Sequence, residues 1–281
     1  MPPEALLQLD GIQAGYGSAG YGSASYGFRR RAAQPVVRDV DLSVAPGEIR
    51  AVVGESGSGK STLARVIVGL LAPDHGTVRF DGADLPFRRS RAQRRAIQMV
   101  FQDPRSSLNP RMSVASIIDE AWRTHPSTRP ADTALGLTGL LDSVGLDAAV
   151  AGRRVGELSG GQAQRVSIAR AVAVGPRLLV CDEAVSALDV SVQTQILALL
   201  LRLREDLDLS ILFITHDLGV VRQIADRVSV MHEGRIVEQA RTDEVFEHPR
   251  DPYTKTLLGA VLDLAVAQQP ASARPTPEPQ P

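Results

Sequence analysis

The chain has 281 residues, which suits one large domain or one domain with an appended subdomain and leaves little room for a second enzyme. Apolar residues make up 43% and charged residues 22%, so a collagen-like or wholly disordered chain is excluded. A formal net charge of -1 provides no overall field to attract a polyanion, and nucleic acid is therefore not an expected partner.

The first hundred residues predict strands around one helix. Apolar and polar residues alternate from Leu6 to Gln13, and a Gly/Tyr/Ser-rich insertion follows over about residues 15–34. Alternation resumes over 36–44, and a buried strand over 48–53 runs directly into GESGSGKS and a helix from about 60 to 70. Further strands are expected at 77–80, before an Asp81-Gly82 turn, and at 97–101, so antiparallel and parallel pieces are mixed.

The second part of the chain changes character twice. Helical patterns near 114–123 and 134–144 predict a helical subdomain over about residues 103–160. From Gly160 helices and strands alternate, which is typical of an α/β domain with a parallel sheet: a helix to Val174, a strand at 178–182, a helix at 191–205 and a strand at 210–215.

The last part predicts short elements and then a tail. A strand at 227–232 turns at Glu233-Gly234, and short helical patterns follow at 242–247 and 252–261. Residues 263–281 are rich in proline and are expected to be disordered, so we take 1–262 as the folded domain.

The length of the longest apolar stretch and the number of cysteines indicate the cellular compartment in which the chain is expected. The longest clean apolar stretch, Ile196 to Leu201, is far shorter than the roughly 20 residues that span a bilayer, and the chain shows no secretory signal pattern. The single cysteine, Cys181, cannot form an internal disulfide and fits a reducing compartment. We expect a chain that neither crosses a membrane nor is secreted by itself, with the cytoplasm as its compartment.

A phosphate-binding motif stands between the strand at 48–53 and the helix that follows it. Gly54, Gly59, Lys60 and Ser61 satisfy G-x-x-x-x-G-K-[ST], which this composition would produce by accident at a rate of roughly two in a thousand. Backbone N–H groups would converge on a β-phosphate, Lys60 would contact β and γ oxygens, and Ser61 would ligate Mg²⁺. A glycine-rich turn without a ligand would not explain the strand-helix context. The candidate nucleotide-binding residues are Gly54, Glu55, Ser56, Gly57, Ser58, Gly59, Lys60, Ser61 and Thr62.

The strand at 178–182 supplies two carboxylates at the edge where a parallel sheet meets its ligand. Asp182 would hold Mg²⁺, directly or through water, and Glu183 would polarise the attacking water. Alone this pattern also fits a solvated strand end, but beside the phosphate-binding motif it favours catalysis. Cys181 is interpreted as a small packing residue.

The sequence contains four more short motifs. Gln102 stands in FQDP, LSGGQ occupies 158–162 at a helix start, SALD occupies 186–189, and His216 stands in ITHDL. With the two motifs above, the chain resembles the ATP-binding cassette (ABC) ATPases over about residues 6–240. The resemblance implies an α/β P-loop NTPase core with a mixed sheet, an antiparallel β subdomain and an inserted helical subdomain.

The resemblance also implies how ATP is held. Two ATP molecules would lie in a head-to-tail dimer, each between the Gly54 loop of one subunit and Ser159, Gly160, Gly161 and Gln162 of the other. Helix N-terminal N–H groups and a hydroxyl suit γ-phosphate oxygens, whereas a plain N-cap on a flexible turn leaves the order of the motifs unexplained. Asp189 would also contact nucleotide, Gln102 would contact Mg²⁺ or water, and His216 would sense the γ-phosphate. An aromatic residue would stack on adenine, with Tyr16 as the closest match and Tyr21 and Tyr26 left open.

Three segments narrow the type of cassette. Residues 101–114, 187–197 and 245–261 resemble oligopeptide and dipeptide importers, a group that includes nickel and other small-solute relatives. Ala163, Ala184 and Asp251 depart from the usual pattern, but none is a phosphate or metal ligand. The implied protein is the ATPase of a bacterial peptide importer, peripheral at the cytoplasmic face of the membrane. A nickel or other small-solute importer and a soluble, non-transport ABC ATPase are the alternatives.

The resemblance implies partners as well. These are two membrane permease subunits, a second ATPase subunit that is either a copy or a paralogue, and, indirectly, an extracytoplasmic solute-binding protein. The surface near Gln102 and the helical subdomain is the expected docking surface for the permeases.

Overall fold

The computed structural model describes residues 5–16 and 35–267. Most of the predicted insertion at 15–34, including Tyr21 and Tyr26, lies outside the described residues. So does most of the predicted tail at 263–281. Within the described part, no helix has the length and apolar character needed to span a membrane.

Ten strands occur in the described residues and form two sheets. They are β1 Leu7–Ala14, β2 Val37–Val44, β3 Ile49–Val53, β4 His75–Phe80, β5 Ala83–Asp84, β6 Ile97–Val100, β7 Leu178–Asp182, β8 Ser210–Thr215, β9 Arg227–His232 and β10 Arg235–Arg241. The central sheet has the order β10-β9-β3-β8-β7-β6, parallel throughout except for the antiparallel pair β10 and β9. The smaller sheet, β2-β1-β4-β5, is antiparallel.

The helices connect and cover these sheets. They are α1 Lys60–Ile67, α2 Arg91–Ala96, α3 Pro104–Ser107, α4 Val114–Thr124, α5 Thr133–Ser143, α6 Gly160–Val172, α7 Val190–Leu207, α8 Leu218–Ile224, α9 Thr242–Glu247 and α10 Pro252–Ala267. Three short 3-10 turns, Pro126–Thr128, Ala148–Gly152 and Val155–Glu157, lie between α4 and α6. The region between β6 and α6 is therefore helical, and α10 continues into the first residues of the predicted tail.

The two faces of the central sheet pack against different helices. On β7, Leu178 and Val180 join the cluster that contains α1 and the small sheet, whereas Leu179 and Cys181 join the cluster that contains α4, α6 and α7. Successive side chains of a strand point to opposite faces, so α1 and α6 cover opposite faces of one sheet. Cys181 is fully buried, and burial raises the pKa of its thiol to about 12.

Helix α1 ends at Ile67, three residues before the predicted end at Leu70, because of contacts made by a residue later in the chain, Arg89. Gly69 adopts a left-handed conformation with φ of 76°, and an added Cβ would lie 2.9 Å from Arg89 Nε. The buried Arg89 side chain donates a hydrogen bond from Nη2 to Val66 O at 3.2 Å, which caps the last turn.

Candidate active site

The phosphate-binding loop, residues 54–62, connects the carboxyl end of β3 to the start of α1. Gly54 has a φ of 153°, and a Cβ there would lie 2.1 Å from Met231 O, so only glycine permits this approach to β9. Helix α1 has neither a side-chain N-cap nor an acidic residue in its first turn. Its first N–H groups are therefore free to meet an anion.

Lys60 is held above this loop by backbone carbonyl groups. Its Nζ donates to Gly54 O and to Glu55 O, both at 2.8 Å, and the residue is only 4% exposed. Burial lowers the pKa of Lys60, and the nearby carboxylates of Glu183 and Asp182 oppose that shift. The Lys60 ammonium group thus lies at the centre of the phosphate-binding loop.

Asp182 ends β7 beside the start of α1. Ser61 Oγ donates to Asp182 Oδ1 at 3.0 Å, and Asp182 is 8% exposed. Burial raises the pKa of Asp182, although the hydrogen bond from Ser61 opposes the shift. A hydroxyl oxygen and a carboxylate oxygen therefore lie side by side in a mostly buried position. Oxygen atoms of this kind are the ligands that Mg²⁺ prefers.

Glu183 lies one residue further, in a left-handed backbone conformation with φ of 49°. Its N–H still donates to Ile214 O at 2.9 Å, so the strand ladder holds this uncommon conformation. Oε2 accepts a hydrogen bond from Gln102 Nε2 at 2.8 Å, and Oε1 lies 3.2 Å from His216 Nδ1. Three loops, each following a parallel strand, thus meet at one carboxylate.

A cavity of about 250 Å³ collects most of these groups. It is lined by Val36, Ser56, Gly57, Gly59, Lys60, Ser61, Thr62, Gln102 and Glu183. Asp182 adjoins this cavity through Ser61, and His216 adjoins it through Glu183. Val36 was not a sequence candidate, and no pattern around it distinguishes it from other strand residues.

The LSGGQ residues do not line this cavity. Ser159 caps α6: Ser159 Oγ accepts from Gln162 N, and Gln162 Oε1 accepts from Ser159 N at 3.1 Å. Gly160 and Gly161 form the first turn of α6, and Asp189 caps α7 by accepting from Val192 N at 2.9 Å. These residues stand on the opposite side of the central sheet from α1.

One contact connects the Gln102 loop to this second segment. Arg105, three residues after Gln102, donates from Nη2 to Leu158 O at 2.9 Å. Leu158 directly precedes the cap of α6, so the loop that reaches Glu183 also fixes the start of LSGGQ. No sequence pattern singled out Arg105.

Tyr16 lies outside the cavity as well. It is 51% exposed, its Oη accepts a hydrogen bond from Arg65 Nη1, and the Arg65 guanidinium lies 5.9 Å from its ring centroid. The ring therefore presents an open face beside α1.

Comparisons with known proteins agree with this geometry. A family model described as ABC transporter matches residues 37–186, and a second, described as oligopeptide/dipeptide transporter, C-terminal region, matches residues 237–281. The oligopeptide transport ATP-binding protein OppF of Salmonella typhimurium is 48% identical over 229 residues, which cover 80% of this chain and 69% of that protein.

Solved structures show the same fold. CbiO1 of Clostridium perfringens, part of the ABC transporter complex cbiONQ, has a TM-score of 0.74 at 25% identity over 94% of this chain and 96% of its own. The ATP-binding cassette MJ0796, a dimer in a post-hydrolysis state with ADP and Pi, has a TM-score of 0.68 at 26% identity over 84% of this chain and 98% of its own. The chain belongs to the ABC transporter family, and the predicted family, fold class and enzyme class are confirmed.

Proposed function

We propose that this chain is the ATP-hydrolysing subunit of a bacterial importer for oligopeptides or dipeptides. The observation that carries the proposal is the meeting of Lys60, Ser61 and Glu183 around one cavity, because together they supply a phosphate-binding charge, a metal ligand and a general base. The match of residues 237–281 and the OppF relative support the solute class, and neither favours nickel or another small solute.

The phosphate-binding loop would hold the β and γ phosphates. The first N–H groups of α1 have no side-chain cap and suit an anion, and Lys60 Nζ, which donates to Gly54 O and Glu55 O, would donate to phosphate oxygens when ATP binds. Its buried position strengthens this charge interaction because little water screens it.

Mg²⁺ fits the group formed by Ser61, Asp182 and Gln102. Ser61 and Asp182 offer adjacent oxygen atoms, and Gln102 retains its amide oxygen because its nitrogen donates to Glu183. The described residues contain no cluster of three or more His, Cys, Asp or Glu suited to a metal, which agrees with an ion that keeps waters and phosphate oxygens as ligands. When bound, Mg²⁺ would neutralise charge on the β and γ phosphates.

Glu183 would act as the general base. Water attacks the γ-phosphorus, its proton passes to the Glu183 carboxylate, and ADP leaves with its β-phosphate oxygen. Gln102 and His216 hold the two carboxylate oxygens in one orientation, and His216 would also contact the γ-phosphate.

The second half of each ATP site would come from another subunit. Ser159, Gly160, Gly161 and Gln162 stand away from the cavity of their own chain, so a head-to-tail partner, either a copy or a paralogue, would place them and Asp189 on its nucleotide. The exposed ring of Tyr16 would stack on adenine.

The permease subunits would dock in a groove beside the helical region. This groove, about 350 Å³, is lined by apolar Leu70, Met99, Phe101 and Ile117 and by charged Arg94 and Glu120. Leu70 is 61% exposed, and Phe101 directly precedes Gln102, so an inserted permease segment would touch the loop that orients Glu183. Such docking would place the chain at the cytoplasmic face of the membrane, with a solute-binding protein acting on the permeases from outside.

The experiment that tests the site is replacement of one of the two lysines. Lys60→Ala should weaken MgATP binding by about tenfold or more, because a charged hydrogen-bond donor to phosphate is lost. The control is Lys255→Ala, which removes an exposed lysine on α10. Equilibrium titration of the purified chain with ATP measures both variants. Equal ATP affinity in Lys60→Ala and the parent would overturn the proposed site.

A further inference from the structure

The C-terminal helix α10 contacts the phosphate-binding loop directly. Tyr253 Oη accepts a hydrogen bond from Glu55 N at 3.2 Å, although the two residues are 198 positions apart. The Tyr253 ring stacks on His232, with ring centroids 3.8 Å apart and planes inclined by 26°. A residue from the C-terminal region thus supplies the acceptor for one N–H group of the loop.

The same peptide segment also holds the loop lysine. Glu55 donates its N–H to Tyr253 and accepts a hydrogen bond at its carbonyl oxygen from Lys60 Nζ at 2.8 Å. A single residue therefore separates the tyrosine hydroxyl from the ammonium group that faces phosphate. A shift in Glu55 would move the carbonyl that positions Lys60.

Helix α10 is itself fixed by elements that carry the loop. The Glu238 carboxylate on β10 accepts hydrogen bonds from Arg250 N at 2.9 Å and Asp251 N at 3.1 Å, just before the helix starts. Tyr253 N donates to Asp251 Oδ1 at 2.8 Å. Further along the helix, Leu257 and Leu258 pack against the cluster that contains Ala51 and Val53 of β3. The hydroxyl is therefore held at a fixed distance from the strand that leads into the loop.

We propose that Tyr253 is a positioning residue for phosphate binding, acting through Glu55 on Lys60. The inference rests on the phosphate-binding role proposed above for Lys60. It gives the C-terminal region a part in nucleotide affinity: any movement that draws α10 away from β9 and β10 removes the acceptor from Glu55 and loosens the lysine.

The test is Tyr253→Phe in the full-length chain, because this change keeps the stacked ring and removes only the hydroxyl. The dissociation constant for MgATP should rise about two- to tenfold, as expected for the loss of one hydrogen bond. At saturating ATP, kcat of the assembled transporter should stay within about twofold of the parent, because Tyr253 touches neither Glu183 nor the attacking water. The thermal midpoint should be unchanged.

A matched control separates this effect from a general weakening of the helix. Thr256→Ala removes another hydroxyl from α10, one that bonds only to Pro252 O within the helix. Its ATP affinity should equal that of the parent. The inference is overturned if Tyr253→Phe binds MgATP as tightly as the parent, or if both variants lose affinity and thermal stability together.

The failure of this inference is distinguishable from failure of the proposed site. If Lys60→Ala loses ATP while Tyr253→Phe binds normally, the site stands and the role of Tyr253 is wrong. If Lys60→Ala binds normally, the site itself is wrong, whatever Tyr253→Phe does.

Discussion

At the scale of single residues, the proposed chemistry depends on how the Glu183 carboxylate is oriented. Its carboxylate receives a hydrogen bond from Gln102 and contacts His216, and its left-handed backbone turns the side chain toward the cavity. Each of these contacts comes from the end of a different parallel strand, so the orientation depends on the order of strands in the sheet.

Replacing the proposed base, Glu183, should separate binding from hydrolysis. Glu183→Gln keeps the size and the hydrogen-bonding shape but removes the proton acceptor, so hydrolysis should fall by about 10²-fold or more while ATP still binds. The nucleotide-bound dimer should accumulate, which size-exclusion chromatography with ATP would show.

Glu233→Gln is the matched control for that variant. Glu233 is also a glutamate in a left-handed conformation, with φ of 45°, but it lies exposed in the turn between β9 and β10. The Glu233→Gln variant should hydrolyse ATP at the rate of the parent. Near-normal turnover by Glu183→Gln in a purified transporter would show that another group is the base.

Asp182 is expected to lower the stability of the nucleotide-free protein. Because its pKa is raised in the folded state above the ordinary value of 3.8, its stabilising contribution is complete below that value and is lost as pH rises through the folded pKa. At a pH above the folded pKa, the ionised, buried carboxylate is therefore a cost that Mg²⁺ binding would relieve.

Asp182→Asn should remove this cost. Without nucleotide and in the presence of a chelator, its thermal midpoint at pH 7 should exceed that of the parent, and the difference should shrink as the pH falls toward the folded pKa. The same variant should lose the Mg²⁺ dependence of ATP binding. Asp142→Asn, at an exposed position on α5, is the control and should show neither effect. A lower midpoint for Asp182→Asn at pH 7 would contradict the prediction.

At the scale of elements, the start of α6 packs closely on α7. A Cβ added to Gly161 would lie 2.7 Å from Val192 Cγ1, which is inside normal contact distance. The second glycine of LSGGQ therefore has a packing role within its own chain, beside the nucleotide contact proposed for it.

Gly161→Ala should destabilise the protein by about 1–3 kcal/mol through this overlap. Combining it with Val192→Ala should recover much of the loss, because the smaller side chain makes room. Gly139→Ala on α5 is the control, since an added Cβ there meets nothing within 4 Å and should not destabilise the helix. Denaturant unfolding of Gly161→Ala, Val192→Ala, the double variant and Gly139→Ala measures the coupling between Gly161 and Val192. Simple additivity of the two changes would show that α6 and α7 do not press on each other at this contact.

The sequence predicted most of the elements that carry the site, because their signals are local. The loop at 54–62 follows an apolar strand and precedes a helix, and β7 and β8 are short apolar runs bounded by polar residues. Strand β10 was missed because its side chains do not alternate between buried and exposed positions. Helices α2, α3 and α8, which have four to seven residues, were not predicted, since such short segments show little of a helical period, although α9, with six residues, was predicted.

The parts that could not be predicted depend on contacts between distant residues. The end of α1 is set by Arg89, more than twenty positions beyond Val66, and the acceptor for Glu55 comes from Tyr253. No motif marks either pair. The candidate site residues were singled out by motif, and the resemblance had already implied that LSGGQ acts on the nucleotide of another subunit.

At the scale of the whole molecule, the solute class is tested in cells. A strain lacking this chain should fail to grow on di- to pentapeptides as the sole source of a required amino acid and should resist a toxic peptide analogue. Normal growth on every peptide and full sensitivity to the analogue, combined with loss of nickel-dependent enzyme activity, would show that the solute is not a peptide and would leave the ATPase assignment intact.

The position of α1 and α6 on opposite faces of one sheet has a consequence for stoichiometry. Leu178 and Leu179 are neighbours in β7, yet one packs toward the helix that begins at Lys60 and the other toward the helix that begins at Gly160. The cavity in one subunit is lined by the start of α1 and not by the start of α6. If both helix starts contact ATP as proposed, turnover would be a property of a pair of chains, and at low concentration its rate should follow the number of assembled pairs and not the number of chains.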